Sequence, residues 1–258
     1  QSNQINKFKQ KIRFEINVGE YTIKTAHSNN ELMEALKLRH DILIKEGLGV
    51  NHLQTEEIDF DKYDLMADHI LLIHRSEQKV IGTYRVLSTG FCNKFYSGKE
   101  FYLDQFLATP GLKLELGRAC IHKAYRKSIA IHLIWKGLGR YSSLIGAEKM
   151  FGCTSVKVQS KFRAQQIVNY LKPEHHSTKF NIKPRSKYQK FYTDPAYQLI
   201  SNEEIRKSLP PLMKSYMKSG AKFYGQPAYD AKLKTTDFFT ILDLKNLNSQ
   251  YKKRYTTL

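Results

Sequence analysis

The pattern of apolar and polar residues along the chain predicts a mixed α/β fold. Short apolar or alternating segments indicate strands, and longer segments with apolar residues three or four positions apart indicate amphipathic helices. Strands are predicted at 21–26, 68–74, 79–87, 112–121 and 151–158, and helices at 31–46, 128–147 and 161–171. Residues 172–192 are predicted to form a basic loop, and residues 209–251 to add further helices and strands. This order of elements favours a mixed central sheet flanked by helices.

The helix starts and the domain boundaries follow from the same pattern. Asn29 or Asn30 is the expected N-cap of the first helix, and Ser128 that of the long helix, because such side chains satisfy free backbone N–H groups. With 258 residues, 41% of them hydrophobic, the chain can form one sizeable α/β domain with an extension. We expect a flexible basic segment at 1–18, a core at 19–198 and a C-terminal extension packed on the core at 199–258.

Several features indicate a cytoplasmic protein without a metal or cofactor. No apolar run approaches the roughly 20 residues needed to span a bilayer, and no signal peptide is evident. The cysteines are widely spaced in apolar surroundings and are expected to be reduced structural thiols: Cys92, Cys120 and Cys153. His175 and His176 form a pair without a spaced Cys or His partner, so we expect no metal site there.

The predicted strand at 112–121 carries two ionisable residues inside an otherwise apolar run. Glu115 and Arg118 are costly to bury unless they are paired or used in chemistry. In a regular strand these two side chains point to opposite faces. Gly117 lies between them and suggests a β-bulge that brings both to the same side. The segment therefore indicates either a structural ion pair or a pair with a chemical role.

A basic turn follows this strand and precedes the long helix. The turn runs from His122 to Lys127, and the free N–H groups and dipole at the start of a helix attract anions. A buried carboxylate, a basic turn and a helix start, in this order, resemble the core of the GCN5-related N-acyltransferases (GNATs). In that fold the turn holds the phosphates of a thioester donor, so the resemblance implies a GNAT-like acyltransferase.

The turn departs from the pattern that is usual among acetyl-CoA users of that superfamily. Those enzymes typically have Arg/Gln-x-x-Gly-x-Gly/Ala, in which the glycines let the backbone approach a pyrophosphate. Here Ile129 and Ile131 occupy the glycine positions, and bulky β-branched side chains disfavour that approach. A carrier protein presents only the single phosphate of phosphopantetheine. Acyl-carrier protein is therefore the expected donor, and acyl-CoA at a divergent site is the alternative.

A set of short motifs occurs in one order over most of the chain. The motifs are Gly82–Leu87 (GTYRVL), Phe95–Phe101 (FYSGKEF), Glu115–Cys120 (ELGRAC), Tyr125-Arg126, Leu133–Gly137 (LIWKG) and Leu209–Leu212 (LPPL). Each motif is weak alone, but the ordered set resembles the bacterial ornithine-lipid family of N-acyltransferases, often labelled hemolysin-like. That family makes lyso-ornithine or lyso-glycine lipids from acyl-carrier protein and an amino acid. The chain also resembles, more distantly, acyl-homoserine lactone synthases and N-acyl amino acid synthases.

The resemblance implies a specific reaction. It is the transfer of a long-chain (3-hydroxy)acyl group from acyl-carrier protein to the α-amino group of a small amino acid. Ornithine is the leading acceptor and glycine the next, and the product would be a precursor of a membrane lipid. Two alternatives stay open at this point. One is a signal synthase that makes acyl-homoserine lactones with S-adenosylmethionine, and the other is a non-catalytic basic protein that binds membranes or nucleic acid.

Amine attack on a thioester requires a base and donors for the developing oxyanion. Glu115 is the candidate base, because burial would raise its pKa toward the working range. Arg118 would orient Glu115 or bind the acceptor carboxylate through both guanidinium nitrogens. Backbone N–H groups released by a bulge near Gly117 would hold the carbonyl oxygen.

The remaining candidates divide between the acceptor and the donor. Arg85 and Arg39 are candidates for the acceptor, although a solvated helix residue is an equal interpretation of Arg39. Asp61 and Asp64 would receive a cationic side chain, and the alternative that we favour slightly is a solvated acidic loop. The candidates for the donor phosphopantetheine are His122, Tyr125, Arg126, Lys127 and Ser128.

The net charge of the chain is +18, with 42 Lys and Arg against 24 Asp and Glu. Such a field attracts polyanions. We expect no nucleic-acid partner, because most aromatic residues fall within strand or helix patterns rather than among basic residues on loops. Acyl-carrier protein is acidic and bacterial inner membranes carry anionic lipid. Either of these two partners would account for the charge, and the alternative is a basic bias of the whole organism's proteins that implies no partner.

Overall fold

A computed structural model describes residues 2–47, 57–126, 129–192, 198–248 and 251 of the protein. Its strands are β1 (Glu15–Val18), β2 (Tyr21–Thr25), β3 (Asp68–His74), β4 (Lys79–Ser88), β5 (Phe101–Tyr102), β6 (Leu112–Ile121), β7 (Ala147–Val156), β8 (His176–Ser177), β9 (Lys183–Pro184), β10 (Lys222–Asp230) and β11 (Thr235–Asp243). Its α-helices are α1 (Ser2–Ile5), α2 (Asn29–Arg39), α3 (Asp104–Leu107), α4 (Ala130–Ile145), α5 (Lys161–Leu171), α6 (Asn202–Ser208) and α7 (Pro211–Ser219). A π-helix (His40–Glu46) continues α2, and 3-10 turns lie at Ser97–Lys99, Lys123–Tyr125, Ser186–Tyr188 and Leu244–Asn246.

The chain forms two compact units. The first comprises Gln1–Asn93, Leu114–Ala147 and Gln250–Leu258, and the second comprises Lys94–Lys113 and Glu148–Ser249. These boundaries differ from the predicted division at residues 198 and 199. The chain leaves the first unit after β4, contributes residues 94–113 to the second unit, and returns with β6. Contacts between residues so far apart in sequence leave no boundary signal in local composition.

The first unit contains an antiparallel sheet in the order β1-β2-β3-β4-β6. The predicted hairpin of β3 and β4 is confirmed, with Ile70 opposite Tyr84 and His74 opposite Lys79. Buried residues of β2 and β3, including Ile23 and Ile70, form part of the core against α4. Mixed α/β structure is thus the observed fold class, as predicted.

The N-terminal segment is more ordered than the sequence suggested. We expected residues 1–18 to be flexible, but β1 pairs with β2 in register from Glu15 opposite Lys24. The backbone N–H groups of Lys11 and Ile12 donate to the two carboxylate oxygens of Asp68 at 2.8 and 2.9 Å. A buried carboxylate needs such donors, so this long-range pairing fixes a segment that looks mobile from its polarity alone.

The helix boundaries also differ from their predictions. Ser28, rather than Asn29 or Asn30, caps α2 by accepting the N–H of Glu31 at 3.2 Å. The long helix begins after Ile129, which makes no side-chain cap bond, and the predicted cap Ser128 lies outside the described residues. This helix ends at Gly146, whose φ of +66° is a left-handed conformation that suits glycine. The predicted end at residue 147 was wrong, because β7 begins there.

The strands of the second unit pair in the order β7-β11-β10-β8. The pairs β7–β11 and β11–β10 are antiparallel, and β10–β8 is parallel. Its core is rich in aromatic rings: Phe106 lies 5.2 Å from Phe151 and 5.9 Å from Phe239 between ring centroids, in edge-on arrangements. The predicted helix at 161–171 is confirmed as α5, and part of the predicted loop at 172–192 forms the short strands β8 and β9.

Within the described residues, no helix combines the length and the apolar character that crossing a membrane requires. The longest helix, α4, has 16 residues and includes charged side chains. Its buried stripe, which includes Leu133, Ile134 and Leu138, belongs to the core of the first unit. The helix therefore contributes to a protein core.

Gly137 provides a test of how closely α4 approaches the sheet. A Cβ atom at this position would lie 2.7 Å from Cγ2 of Ile23 and 3.0 Å from Cγ2 of Ile70. Both isoleucines are fully buried and β-branched, so they adapt poorly. We expect Gly137→Val to lower the free energy of unfolding by about 2–3 kcal/mol, the scale of an overpacked core. Urea denaturation measures this loss. Ser143→Val, on an exposed position of the same helix, is the control and should change stability by less than about 1 kcal/mol.

Candidate active site

A β-bulge interrupts the pairing of β4 with β6. Thr83 lies opposite Cys120 and Arg85 opposite Gly117, so Arg118 and Ala119 together face the single residue between Thr83 and Arg85. Arg118 has φ +55°, a left-handed backbone conformation that is uncommon for a residue with a side chain. The predicted bulge is confirmed, and its strained residue is Arg118 rather than the adjacent glycine.

The bulge brings three ionisable side chains to one face of the sheet. Residues opposite each other on paired strands share a face, and so do residues two apart on one strand. Arg85 therefore shares a face with Gly117 and Glu115. Arg118 contacts the same carboxylate as Arg85: Nη2 of Arg118 lies 3.3 Å from Oδ2 of Asp61, and Nη1 of Arg85 lies 2.8 Å from its Oδ1. This is the common side that the spacing of Glu115 and Arg118 predicted.

A network of alternating arginines and aspartates holds this face together. Arg39 on α2 donates to Oδ2 of Asp59 at 2.7 Å and to Oδ1 of Asp64 at 2.6 Å. Arg85 on β4 also reaches Oδ1 of Asp64, at 3.1 Å. Nε of Arg118 lies 3.0 Å from Oδ2 of Asp59. We call these residues the arginine–aspartate network: Arg39, Asp59, Asp61, Asp64, Arg85 and Arg118.

The network is buried, which corrects two interpretations of the sequence. The side chains of Arg39 and Asp64 are 0% exposed, so Arg39 is not a solvated helix residue and Asp64 is not part of a solvated loop. Burial would raise the pKa of Asp64, but Arg39 and Arg85 outweigh it and hold that pKa well below the ordinary range. Arg39 and Arg118 likewise lower the pKa of Asp59 despite its burial. Opposite charges thus offset the cost of burying each partner.

Asp61 and Asp64 were predicted to receive a cationic group of the acceptor. Both carboxylates are already paired with arginines, and Asp61 also accepts the N–H of Tyr63 at 2.8 Å. Asp61 keeps 19% of its side chain exposed, whereas Asp64 is inaccessible. A direct contact between Asp61 and the acceptor therefore stays a prediction. Asp64 is inaccessible to an acceptor, so in this geometry it stabilises the network instead.

Glu115 lies in a dry environment beside this network. It is 2% exposed, in register with Leu87 of β4. Tyr63 lies close by: burial first, then the charges of Glu115 and Asp61, raise the pKa of the Tyr63 hydroxyl. The guanidinium carbon of Arg85 is 5.7 Å from the centroid of the Tyr63 ring. A carboxylate in this position can accept a proton from a group that enters the site.

Sequence reasoning missed two residues of this site, Asp59 and Tyr63. Both lie in the acidic stretch around 57–64, whose polarity is typical of a loop on the surface. The spacing of Asp59, Asp61 and Asp64 was the available signal, since a run of carboxylates next to buried arginines can pair with them. Only the tertiary structure brings α2, β4 and β6 to this stretch.

The predicted donor turn is polar and accessible. His122 accepts the N–H of Ala124 at Nδ1, and Nζ of Lys79 lies 3.4 Å from its Nε2. Partial burial, then Lys79 and Lys123, lower the pKa of His122. Because both lysines are cations, the turn has a positive electrostatic field even when His122 is neutral.

Tyr125 and Arg126 have partners of their own in this turn. The Tyr125 hydroxyl donates to Glu77 at 2.6 Å, which raises the Tyr125 pKa to about 12. Arg126 donates to Glu46 at 2.6 Å and to the carbonyl of Ile121 at 3.1 Å, and its side chain is 45% exposed. Their contact with a donor phosphate stays a prediction. Lys127 and Ser128, the remaining predicted donor residues, lie outside the described part of the chain.

Comparisons with known proteins agree with this geometry. Residues 38–136, which include the arginine–aspartate network and the donor turn, match the model of the acetyltransferase (GNAT) domain. The acyl-homoserine lactone synthase LasI superimposes with a TM-score of 0.51 at 15% identity, covering 95% of each chain. The CoA-dependent synthase MesI gives 0.50 at 12% identity, covering 89% of each. These matches show that residues 38–136 are similar to the GNAT domain and that the chain has a GNAT-like fold, as its motifs predicted.

More specific relatives emerge from sequence comparison. The L-ornithine N(alpha)-acyltransferase of Brucella abortus is 28% identical over 92% of this chain and 89% of its own length. The enzyme of the same name from Rhodobacter capsulatus is 26% identical over 92% of this chain and 95% of its own length. The chain is therefore similar to L-ornithine N(alpha)-acyltransferases over most of its length, which confirms the resemblance to that family.

His69 gives the network a measurable pH signature. Its ring is fully buried, and Nε2 donates to the main-chain oxygen of Asp64 at 3.0 Å. Burial lowers the pKa of His69 to about 4. Unfolded histidine titrates near 6.5, so between pH 6.5 and 4 the unfolded chain binds a proton that the folded chain does not. Stability should fall by about 3 kcal/mol on acidification through this window.

Denaturation by urea at several pH values from 7 to 4 checks this prediction. His69→Gln, which keeps a donor for the Asp64 carbonyl, should remove most of the loss in that window. His27→Gln, at a partly exposed histidine of the same unit, is the control and should keep it. Equal pH dependence in the wild-type protein and His69→Gln would show that His69 is not its source.

Proposed function

We propose that this protein transfers a long-chain acyl group from acyl-carrier protein to the α-amino group of L-ornithine, the first step in making an amino-acid-containing membrane lipid. The observation that carries this proposal is the buried Glu115 on the same face as Arg85 and Arg118. The names of the relatives support ornithine as acceptor, and the turn after β6 supports a carrier-protein donor.

In the proposed reaction Glu115 takes a proton from the ammonium group of the acceptor, directly or through water. The free amine attacks the thioester carbonyl carbon and forms a C–N bond, and the electron pair of the carbonyl moves to oxygen. Backbone N–H groups at the bulge near Arg118 stabilise this oxyanion. When the oxyanion collapses, the C–S bond breaks, and the thiolate of phosphopantetheine takes up the second proton that the attacking nitrogen loses as it becomes the amide. The products are the N-acyl amino acid and the free thiol.

The arginine–aspartate network has two tasks in this scheme. Arg39 and Arg85 are 0% and 2% exposed, so they position the aspartates. Arg118 is 18% exposed and sits on the strained bulge, which makes it the arginine best placed to bind the acceptor carboxylate. Asp59 and Asp61 fix its guanidinium group from one side, and a carboxylate can approach another edge of the fork.

The donor side of the proposal depends on the turn and on the start of α4. Ile129 is 51% exposed at the position where acetyl-CoA users typically have glycine. Its side chain would stand in the way of a pyrophosphate, whereas a single phosphate needs less room. Lys79, Lys123 and Arg126 supply positive charge to this turn, which suits the acidic surface of a carrier protein.

The proposal is tested with purified protein, long-chain acyl-carrier protein and single amino acids, with thiol release as the readout. Ornithine should support the fastest release, and the matching acyl-CoA should be a much poorer donor. Equal catalytic efficiency with both donors would overturn the interpretation of Ile129. Product formation only with S-adenosylmethionine would identify a signal synthase and reject the proposal.

Glu115→Gln isolates the proton transfer. The substitution keeps the size of the side chain and removes the base, so kcat should fall by about 100-fold or more. Glu34→Gln, at an exposed position of α2, is the control and should retain wild-type turnover. Thermal denaturation establishes that both variants are folded. A folded Glu115→Gln variant with undiminished kcat would remove Glu115 from the mechanism.

The dependence of the kinetics on salt concentration tests whether the carrier protein docks through electrostatic attraction. If the basic turn attracts an acidic carrier protein, the KM for the carrier should rise steeply with ionic strength while kcat changes little. Lys123→Glu should raise this KM at low salt, and Lys207→Glu, at an exposed position of α6, serves as the control. Arg126→Ala should weaken donor binding even at high salt, because Arg126 is proposed to contact the phosphate. A wild-type KM that does not change with salt would contradict docking through this turn.

A further inference from the structure

The second unit contains a cluster of three buried carboxyl groups that the proposed reaction does not use. Glu100, Asp230 and Asp237 are 1%, 8% and 2% exposed, and one oxygen atom of each lies within 4.8 Å of the other two. Glu100 follows the 3-10 turn at Ser97–Lys99, Asp230 ends β10, and Asp237 lies on β11 across the hairpin. Three separate segments of one unit therefore converge on this point.

Three like-charged groups in a dry environment require compensation. Among the described residues, no lysine or arginine lies within ion-pair distance of Glu100 or Asp230. Asp230 accepts the N–H groups of Lys232 and Leu233 at 2.8 and 3.1 Å through Oδ1, which fixes its carboxylate in the hairpin turn. These bonds stabilise the loop without supplying a positive charge to the cluster.

The side chain of Glu100 gives a second indication of a ligand. Its Oε2 atom accepts the thiol of Cys153 at 3.6 Å, a weak hydrogen bond. Its Oε1 atom is completely buried and, among the described residues, accepts no hydrogen bond from an N–H or O–H donor, so its neighbour Asp237 can satisfy it only by sharing a proton or an ion. A buried oxygen without a partner is rare and costly, so each case calls for an ion, a water or a proton.

We propose that Glu100, Asp230 and Asp237 bind one hard divalent cation. Cations of this kind lie about 2.0–2.6 Å from their oxygen ligands, so one ion can bridge oxygens up to about 4–5 Å apart. Carboxylate oxygens favour Mg²⁺, Ca²⁺ or Mn²⁺ over softer metals. The ion would neutralise the cluster, give Oε1 of Glu100 a partner, and tie the β10–β11 hairpin to the segment that follows Ser97–Lys99. This site revises our expectation that the protein has no metal.

The test uses the full chain after treatment with EDTA and exchange into metal-free buffer at pH 8. Mn²⁺ is then titrated and free Mn²⁺ is measured by electron paramagnetic resonance, while Tm is followed with Mn²⁺, Ca²⁺ and Mg²⁺. We expect one Mn²⁺ bound per chain and a rise in Tm with at least one of these ions, because binding to the folded state alone stabilises it. Absence of both effects in the wild-type protein would overturn the proposal and leave a shared proton as the neutralising group.

Glu100→Gln distinguishes Mn²⁺ binding at this cluster from Mn²⁺ binding at carboxylates on the surface. The variant should bind Mn²⁺ at least tenfold more weakly, because affinity depends on the number of charged ligands. In EDTA it should melt at or above the wild-type Tm, because one of three like charges is gone. Glu203→Gln, at an exposed carboxylate of the same unit, is the control and should bind as the wild type does. Asp237→Asn repeats the test if Glu100→Gln does not fold. Mn²⁺ binding that survives in a folded variant of either residue would reject this site.

Discussion

The arginine–aspartate network is the interaction on which the rest of the candidate active site depends. It joins α2, the 59–64 segment, β4 and β6 through contacts of 2.6–3.3 Å. Removing one partner of such a network leaves the others as uncompensated buried charges, which typically costs about 3–5 kcal/mol. The network therefore fixes the relative positions of these elements, and with them the face on which Glu115 lies.

The bulge at Arg118 is the second constraint, and it depends on the first. A residue with a side chain at φ +55° is strained by about 1 kcal/mol or more, so surrounding contacts must hold it there. Asp59 and Asp61 supply those contacts through the guanidinium group. The bulge places a partly exposed arginine on the same face as the buried Glu115 and interrupts the pairing of β6 with β4, and the proposed reaction relies on this combination.

The protein contains two buried carboxylate clusters, and the free-energy cost of burying their charges is offset differently in each. In the first unit, arginines surround the aspartates and lower the pKa values of Asp59 and Asp64. In the second unit, burial and the neighbouring Asp237 raise the pKa of Glu100 well above its ordinary range. The contrast follows from the partners alone, since both clusters are buried. The carboxylates of the first unit are therefore stabilised in their charged form, whereas the carboxyl groups of the second unit still need a cation or a proton to neutralise them.

The sequence by itself determined the fold class, the hairpin of β3 and β4, strand β6 with its bulge, helix α5, and the family resemblance. These features follow from local patterns of apolar residues, from a glycine between two ionisable residues, and from ordered motifs. The tertiary structure decided what those patterns left open. It buries Arg39 and Asp64, and it places Asp59 and Tyr63 in the candidate site. It also divides the chain into two units whose segments alternate along the sequence. An acidic stretch has the same composition whether it is solvated or paired with arginines, and only contacts between distant residues decide between them.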